Sequence, residues 1–392
     1  MRIERRTFLL GACGSLLAAA VGAQEKRDRA SLALWATTQN LSIPGLGGLP
    51  EGVKLEDLPP EAAAALGALA GGRKDLQVRL WSPGAAPAGA TANLEVPAGL
   101  NLGATLPLEI LRPEARRAAQ SEPLPEEFRI TDDFELRQYW GCSETVLPGQ
   151  PKVIKIGDLP AADREAWKRY SGRGFGALEK PDWTAAVWPN AKAGAGANAA
   201  QAKPGSLRGE HRLRTSYLGE AGFRVTDPVD FLAPVTFTSP KPGKADLKRS
   251  IRLEWKPIPS VLGYHLTALS PKGRKLLIMW SGAKNAEGFN AGLEFPQMAQ
   301  VRAFVEQGLF LPPTATSCNI PAGIFDGCEN VIVNMTAYGP GQAFDAPNAP
   351  AIRVQTRSVG MLTLGLGAGG DDADEERPEP EDQKDDEGDA QE

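Results

Sequence analysis

The sequence predicts a mainly β protein built from two sandwich-like domains, and three observations carry that expectation. Apolar and polar residues alternate with period two in run after run, the pattern of a half-buried strand. Ile251, Leu253 and Trp255 against Arg252 and Glu254 are the clearest case, and Tyr264, Leu266 and Ala268 repeat it. Proline and glycine punctuate these runs: Pro257, Pro259 and Gly263 make the two segments separate strands. Helical periodicity is confined to short stretches near 60–70, 160–170 and 296–307.

Residues 1–23 read as a cleavable leader. Arg5-Arg6-Thr7-Phe8-Leu9-Leu10 resembles the twin-arginine export motif, an apolar stretch follows from Leu9 to Val21, and Val21-Gly22-Ala23 supplies a small-residue cleavage site. An ordinary Sec signal with a chance arginine pair is the competing reading. A lipoprotein signal at Leu10-Gly11-Ala12-Cys13 is disfavoured, because only six residues separate Arg6 from Cys13. The apolar run is too short for a stable spanning helix, so no integral membrane protein is expected. The resemblance implies a periplasmic or secreted protein of a Gram-negative cell that crosses the membrane folded.

Residues 24–160 form an N-terminal β-rich domain. Its strands are expected at 30–36, 76–81, 92–97, 104–111, 134–140 and 153–156, with a glycine-rich loop at 45–52. The helix at 60–70 starts on Pro60 and stops at Gly71-Gly72. Residues 161–228 read as an irregular connecting segment with a low-complexity loop at 191–206, order returning at 210–217. Then Val229 to Thr238 serves as the first strand of a C-terminal sandwich over 229–360. Strands near 251–255, 264–268, 275–280, 316–323, 331–338 and 351–359 complete it. In the helix at 296–307, Met298, Val301 and Val305 share one face and Gly308 ends it.

The paired strands around Trp255 and Tyr264 resemble strands B and C of a fibronectin type III domain, an immunoglobulin-like sandwich. Two features depart from that family: the helix inserted at 296–307, and Val331 where a tyrosine corner would place Tyr. Trp81-Ser-Pro-Gly before Val96-Pro-Ala-Gly-Leu100, and Trp280-Ser-Gly-Ala before Ile320-Pro-Ala-Gly-Ile324, are the signs of either a degenerate duplication or chance in a Gly/Pro/Ala-rich chain. More broadly, the chain resembles exported proteobacterial proteins that combine a Trp140-Gly141-Cys142 segment, a Trp188-Pro189-Asn190 segment and a fibronectin-like C-terminal sandwich. That resemblance implies a location and no activity.

Charge is unevenly distributed. The whole chain carries a formal net charge of −5. The last 22 residues, from Asp371, hold 13 acidic and 2 basic side chains. Such a segment cannot bury enough apolar surface to offset the cost of ordering, so 366–392 is expected to be a disordered, solvating tail. The body is left mildly and diffusely positive, without the clustered Lys/Arg stripe of a nucleic-acid binder.

With the leader gone, Cys142, Cys318 and Cys328 remain, and in an oxidising compartment one pair should close. Cys318–Cys328 would close a short local loop; Cys142–Cys318 would tie the two halves together. Spacing alone does not choose between them. His211 and His265 are the only histidines, neither at metal-ligand spacing from another His or Cys, so no metal and no cofactor is expected. Cys142 as a nucleophile would need one of those imidazoles as base, and a disulfide is the simpler role. The doublets Glu126/Glu127 and Asp132/Asp133 read as loop charge, since adjacent carboxylates on a strand face opposite ways.

Trp35, Trp81, Trp140 and Trp280 each end an alternating strand and read as core plugs. Trp183 and Trp188, in an irregular segment, are the ligand-binding candidates. The functional expectation is an exported, non-enzymatic envelope protein that binds or scaffolds another envelope component, glycan or protein. The alternative is a hydrolase of cell-wall or polysaccharide material with its site in 112–190.

Overall fold

A computed structural model describes residues 29–42, 72–113, 131–161, 163–164, 182–189, 205–289, 291 and 295–365. The leader, the glycine-rich loop at 45–52, the helix expected at 60–70, Glu126 and Glu127, most of the loop at 191–206 and the acidic tail lie outside the described residues.

The fold is mainly β. In chain order the first strands are β1 (Ser31–Ser42), β2 (Arg73–Ser82), β3 (Ala92–Glu95), β4 (Thr105–Pro107), β5 (Glu109–Leu111) and β6 (Glu135–Trp140). Next come β7 (Lys152–Lys155), β8 (Thr184–Trp188), β9 (Gly209–Thr215), β10 (Gly219–Val225), β11 (Phe237–Ser239) and β12 (Ile251–Trp255). The last are β13 (Gly263–Lys272), β14 (Leu276–Ser281), β15 (Ser317–Ile320), β16 (Val331–Phe344) and β17 (Ala351–Leu364), with helix α1 (Met298–Glu306) between β14 and β15.

Ten strands form one sheet in the order β5-β8-β2-β1-β17-β16-β13-β14-β6-β7. Two smaller sheets accompany it, β10-β9-β3-β4 and β11-β12-β15. The large sheet takes strands from every sequence segment. Its main join is parallel: β1 runs beside β17 from Ser31↔Ala351 to Ser42↔Leu362. A second parallel pair sets β6 against β14.

Period-two alternation explains how one sheet serves two cores. Even-numbered residues of β17 face the smaller sheets. At its start, Ile352 and Val354 pack with Leu32, Leu34, Leu76 and Leu80, and with Leu94, Leu213 and Phe223 of the four-stranded sheet. At its end, Leu362 and Leu364 pack with Leu253, Trp255, Tyr264, Trp280 and Val333.

The seam between these cores is polar. Thr38 Oγ1 donates to the Leu232 carbonyl at 2.8 Å, Ser358 Oγ accepts from the Val235 N–H at 3.0 Å, and Asn40 Nδ2 donates to the Val235 carbonyl at 2.6 Å. The strand expected over 229–238 is therefore only three residues long, as β11. Val229 to Thr236 instead lies across the seam, its backbone groups met by side chains in place of a ladder, and Pro234 brings no N–H. Gly360 permits the close approach: a Cβ there would stand 2.4 Å from Val235 Cγ1.

Helix α1 covers the opposite face, where Val301 packs with Leu309, Phe310 and Tyr338. A Gln297–Gln300 capping box opens it.

A disulfide joins Cys142, just after β6, to Cys318 in β15, with a Cα–Cα distance of 4.8 Å. It staples the large sheet to the three-stranded one, and Cys328 is left as a free thiol.

Other local readings change. Of the four strand-end tryptophans, Trp280 alone is fully buried, with Nε1 donating to the Gly141 carbonyl at 3.0 Å. Trp35, Trp81 and Trp140 are partly exposed, because the residue that ends an alternating run can fall on either face. The run 104–111 breaks at Leu108, so that β4 joins the four-stranded sheet and β5 the ten-stranded one. The connecting segment 161–228 contributes β8, β9 and β10. In β10, Ala221, Phe223 and Val225 point inward, an alternation broken to the eye by Gly219 and Gly222.

Candidate functional site

On the face away from the two cores, the odd-numbered residues of β2 form a polar column of Arg73, Asp75, Gln77 and Arg79. Leu76, Val78 and Leu80 between them are buried, which fixes the orientation of the column. Gln39 of β1 stands opposite Arg73 in the register. These five side chains, with Trp188 and Pro189 at the end of β8, line a groove of about 380 Å³. That is near the low end for small-ligand pockets, roughly 300–1,000 Å³.

One wall has a fixed structure. The Arg79 guanidinium sits 4.9 Å from the centroid of the Trp35 ring, and Trp35 stacks on Phe295 at 4.4 Å with an interplanar angle of 6°. Arg357 lies over Phe295 at 4.0 Å. Hydrogen bonds lock the stack: Trp35 Nε1 donates to Gln355 Oε1 at 3.1 Å, and Gln355 Nε2 donates to the Pro296 carbonyl at 2.8 Å. Arg79 is thereby pre-positioned, and Trp35 is engaged in the wall. Within the groove, Gln77 Nε2 reaches Asp75 Oδ2 at only 3.4 Å, a long hydrogen bond that leaves both groups with capacity to spare. Among the described residues neither Arg73 nor Arg79 forms an ion pair.

The structure separates the two tryptophans singled out from sequence. Trp188, opposite Val78, packs against the N-terminal core and borders the groove. Trp183 precedes β8 at its other end, where the Thr184 N–H donates to the Gly84 carbonyl at 2.9 Å. Five residues of strand place their Cα atoms roughly 17 Å apart. The polar column itself was legible as Arg73-x-Asp75-x-Gln77-x-Arg79, but the alternation at 76–81 draws the eye to its apolar half.

The remaining candidates sit elsewhere. Cys142 is closed in the disulfide. Asp132 and Asp133 occupy the exposed turn before β6, where Lys275 pairs with Asp133 and holds its carboxyl below the usual range. Asp182, before β8, is seven strands from β6 across the sheet, roughly 34 Å at about 4.8 Å per strand. It cannot pair with Asp132 or Asp133. His265 meets the Gly288 carbonyl at 2.9 Å and the Phe310 ring at 5.1 Å, and burial pushes its pKa down. His211, 2 % exposed and stacked on Phe223, is pushed down for the same reason. Among the described residues no group of three or more His, Cys, Asp or Glu could hold a metal ion, and no helix is long and apolar enough to cross a membrane.

No protein-family model, no curated protein and no solved structure matches this chain.

Proposed function

We propose that this is an exported, non-enzymatic envelope protein that binds or scaffolds another envelope component, glycan or protein, on the outer face of the ten-stranded sheet. The observation that carries the proposal is the groove on β2. It gathers guanidinium, amide and carboxylate groups on one face of β1 and β2, beside Trp188 and Pro189 at the end of β8, the composition of a binding site. Among the described residues its lining holds a single carboxylate, Asp75, whereas glycosidic hydrolysis ordinarily takes two across a cleft. The C-terminal segment belongs, in this proposal, to the fibronectin type III-like sandwiches. What supports that reading is strand order: β11-β12-β15 opposite β14-β13-β16-β17 matches an A-B-E sheet facing C′-C-F-G. Export draws support from the twin-arginine-like leader and from a disulfide, which persists in oxidising compartments.

The test is a glycan and peptidoglycan binding screen of residues 24–392 beside a general hydrolase panel. Binding without turnover is expected. Turnover abolished by changing one carboxylate between Glu126 and Asp182 would overturn the proposal in favour of a hydrolase.

A further inference from the structure

The two edges of β2 are not paired alike. On one side β1 runs beside it from Arg73 to Trp81. On the other, β8 pairs with it only over residues 78–82. Among the described residues no strand lies beside 73–77 on that side. The ladder stops for a local reason. In the register set by Val78↔Trp188, the next residue of β8 is Pro189, opposite Gln77, and proline has no N–H to give. The sheet therefore carries a notch: the end of β8 is its wall, and β2 bares five residues of edge beyond it, about 17 Å long.

The groove lies at this notch. Trp188 and Pro189 close one end, and Arg73, Asp75 and Gln77 of the bare stretch line it with Arg79 and Gln39. Along such an edge N–H and C=O groups recur at every second residue, a spacing that another polypeptide strand matches group for group. Side chains then choose among strands. Arg73 and Arg79 are half-buried, and neither is ion-paired among the described residues. Asp75 is the one acidic lining residue, so the lining carries a formal charge of +1. Lys74, on the opposite face, is already engaged: its Nζ donates to the Gly205 carbonyl at 2.9 Å and lies 5.1 Å from the Phe231 ring centroid. A carboxylate directly across from Arg73 would complete the pairing, because facing residues of adjacent strands bring their side chains into contact.

We infer that the notch beside residues 73–77 takes an extended acidic segment of a partner polypeptide as an added strand, antiparallel to β2 and in line with β8. This rests on the binding reading above and gives it a partner class. The experiment is fluorescence anisotropy of the full chain with labelled synthetic peptides. The parent peptide alternates threonine and valine and ends the alternation on one glutamate, placed to face Arg73. A second peptide carries lysine in place of the glutamate. A third keeps the glutamate but has prolines at two neighbouring central positions; successive N–H groups of a strand point to opposite sides, so one of the two lost must face β2. Each peptide is titrated against wild type, Arg73→Gln and Arg73→Glu, with unfolding midpoints to show that the variants are folded.

The expected result is binding of the parent peptide by wild type, with the lysine and proline peptides each about tenfold weaker. Arg73→Gln should weaken the parent peptide, and Arg73→Glu should reverse the preference in favour of lysine. Equal binding of the proline peptide would overturn strand addition in favour of recognition by side chains alone. A preference for glutamate that survives Arg73→Glu would overturn the assignment to this notch. Self-association of the wild type that the parent peptide does not displace and Arg73→Glu abolishes would overturn the partner in favour of a second copy of this chain. If no peptide binds at millimolar concentration the inference fails, and the envelope-component proposal is then judged by its separate binding screen.

Discussion

Removing the Cys142–Cys318 bridge is the perturbation whose effect follows most directly from the architecture. The two residues are 176 positions apart, and the bond crosses from the loop after β6 to β15. On the loop-entropy model such a closure constrains the unfolded chain by about 5 kcal/mol, against about 3 kcal/mol for the short alternative between Cys318 and Cys328. Cys318 is 3 % exposed, so truncating its side chain would add a small packing loss. A domain of this size has about 5–15 kcal/mol of net stability, so the bridge represents a third or more of it. The double substitution C142A/C318A should therefore lower the thermal midpoint by roughly 10–20 °C. Urea unfolding followed by tryptophan fluorescence, on oxidised wild type, reduced wild type, C142A/C318A and C328A, gives the comparison. C328A should match the oxidised wild type. A loss of less than about 1 kcal/mol in C142A/C318A, or a Cys318–Cys328 peptide in unreduced digests, would refute the reasoning.

Three further outcomes are expected. Trp280→Ala should cost about 3–5 kcal/mol, since the ring is fully buried and its N–H is satisfied by Gly141, while Trp140→Ala should cost clearly less; chemical denaturation of the two variants decides. Gly360→Ala should destabilise by about 1–3 kcal/mol, because the added methyl meets Val235, and the loss should be relieved by Val235→Ala in the same chain. Both histidines have folded-state pKa values below their unfolded values, so the unfolded chain binds more protons as pH falls. Stability should be full above about pH 6.5 and decline below it, with a slope of at most about 1.4 kcal/mol per pH unit for each histidine. Unfolding midpoints of wild type, His211→Gln and His265→Gln between pH 7.5 and 5 should show a flatter profile in each variant.

Much of the strand content could be read from residues, because alternation reports directly on a face buried against a core. Ile251, Leu253 and Trp255 are buried as their spacing required. Alternation says nothing about which strand lies beside which. β1 and β17 are more than three hundred residues apart in sequence, and their parallel pairing runs one ten-stranded sheet through both halves of the chain, with the two smaller sheets beside it. Val229 to Thr236 misled for a related reason: its apolar residues pack on a seam, yet hydroxyl and amide side chains at Thr38, Ser358 and Asn40 replace a ladder. The groove was half legible. Its indole at Trp188 is a rare residue in an irregular stretch, whereas Arg73, Asp75, Gln77 and Arg79 look like any solvated strand face until Gln39 and β8 enclose them. Cysteine arithmetic foresaw one bridge and one spare thiol, and left the pairing to geometry.

Covalent footprinting with hydroxyl radicals, on the full chain with and without a solubilised envelope fraction, tests most directly whether the outer sheet face is the binding surface. The account predicts protection confined to Trp188 and its neighbours in β8, together with the 73–79 column of β2. Protection confined to the far end of the sheet, at Val146, Leu147 and Val153 around β7, or no protection anywhere, would contradict it.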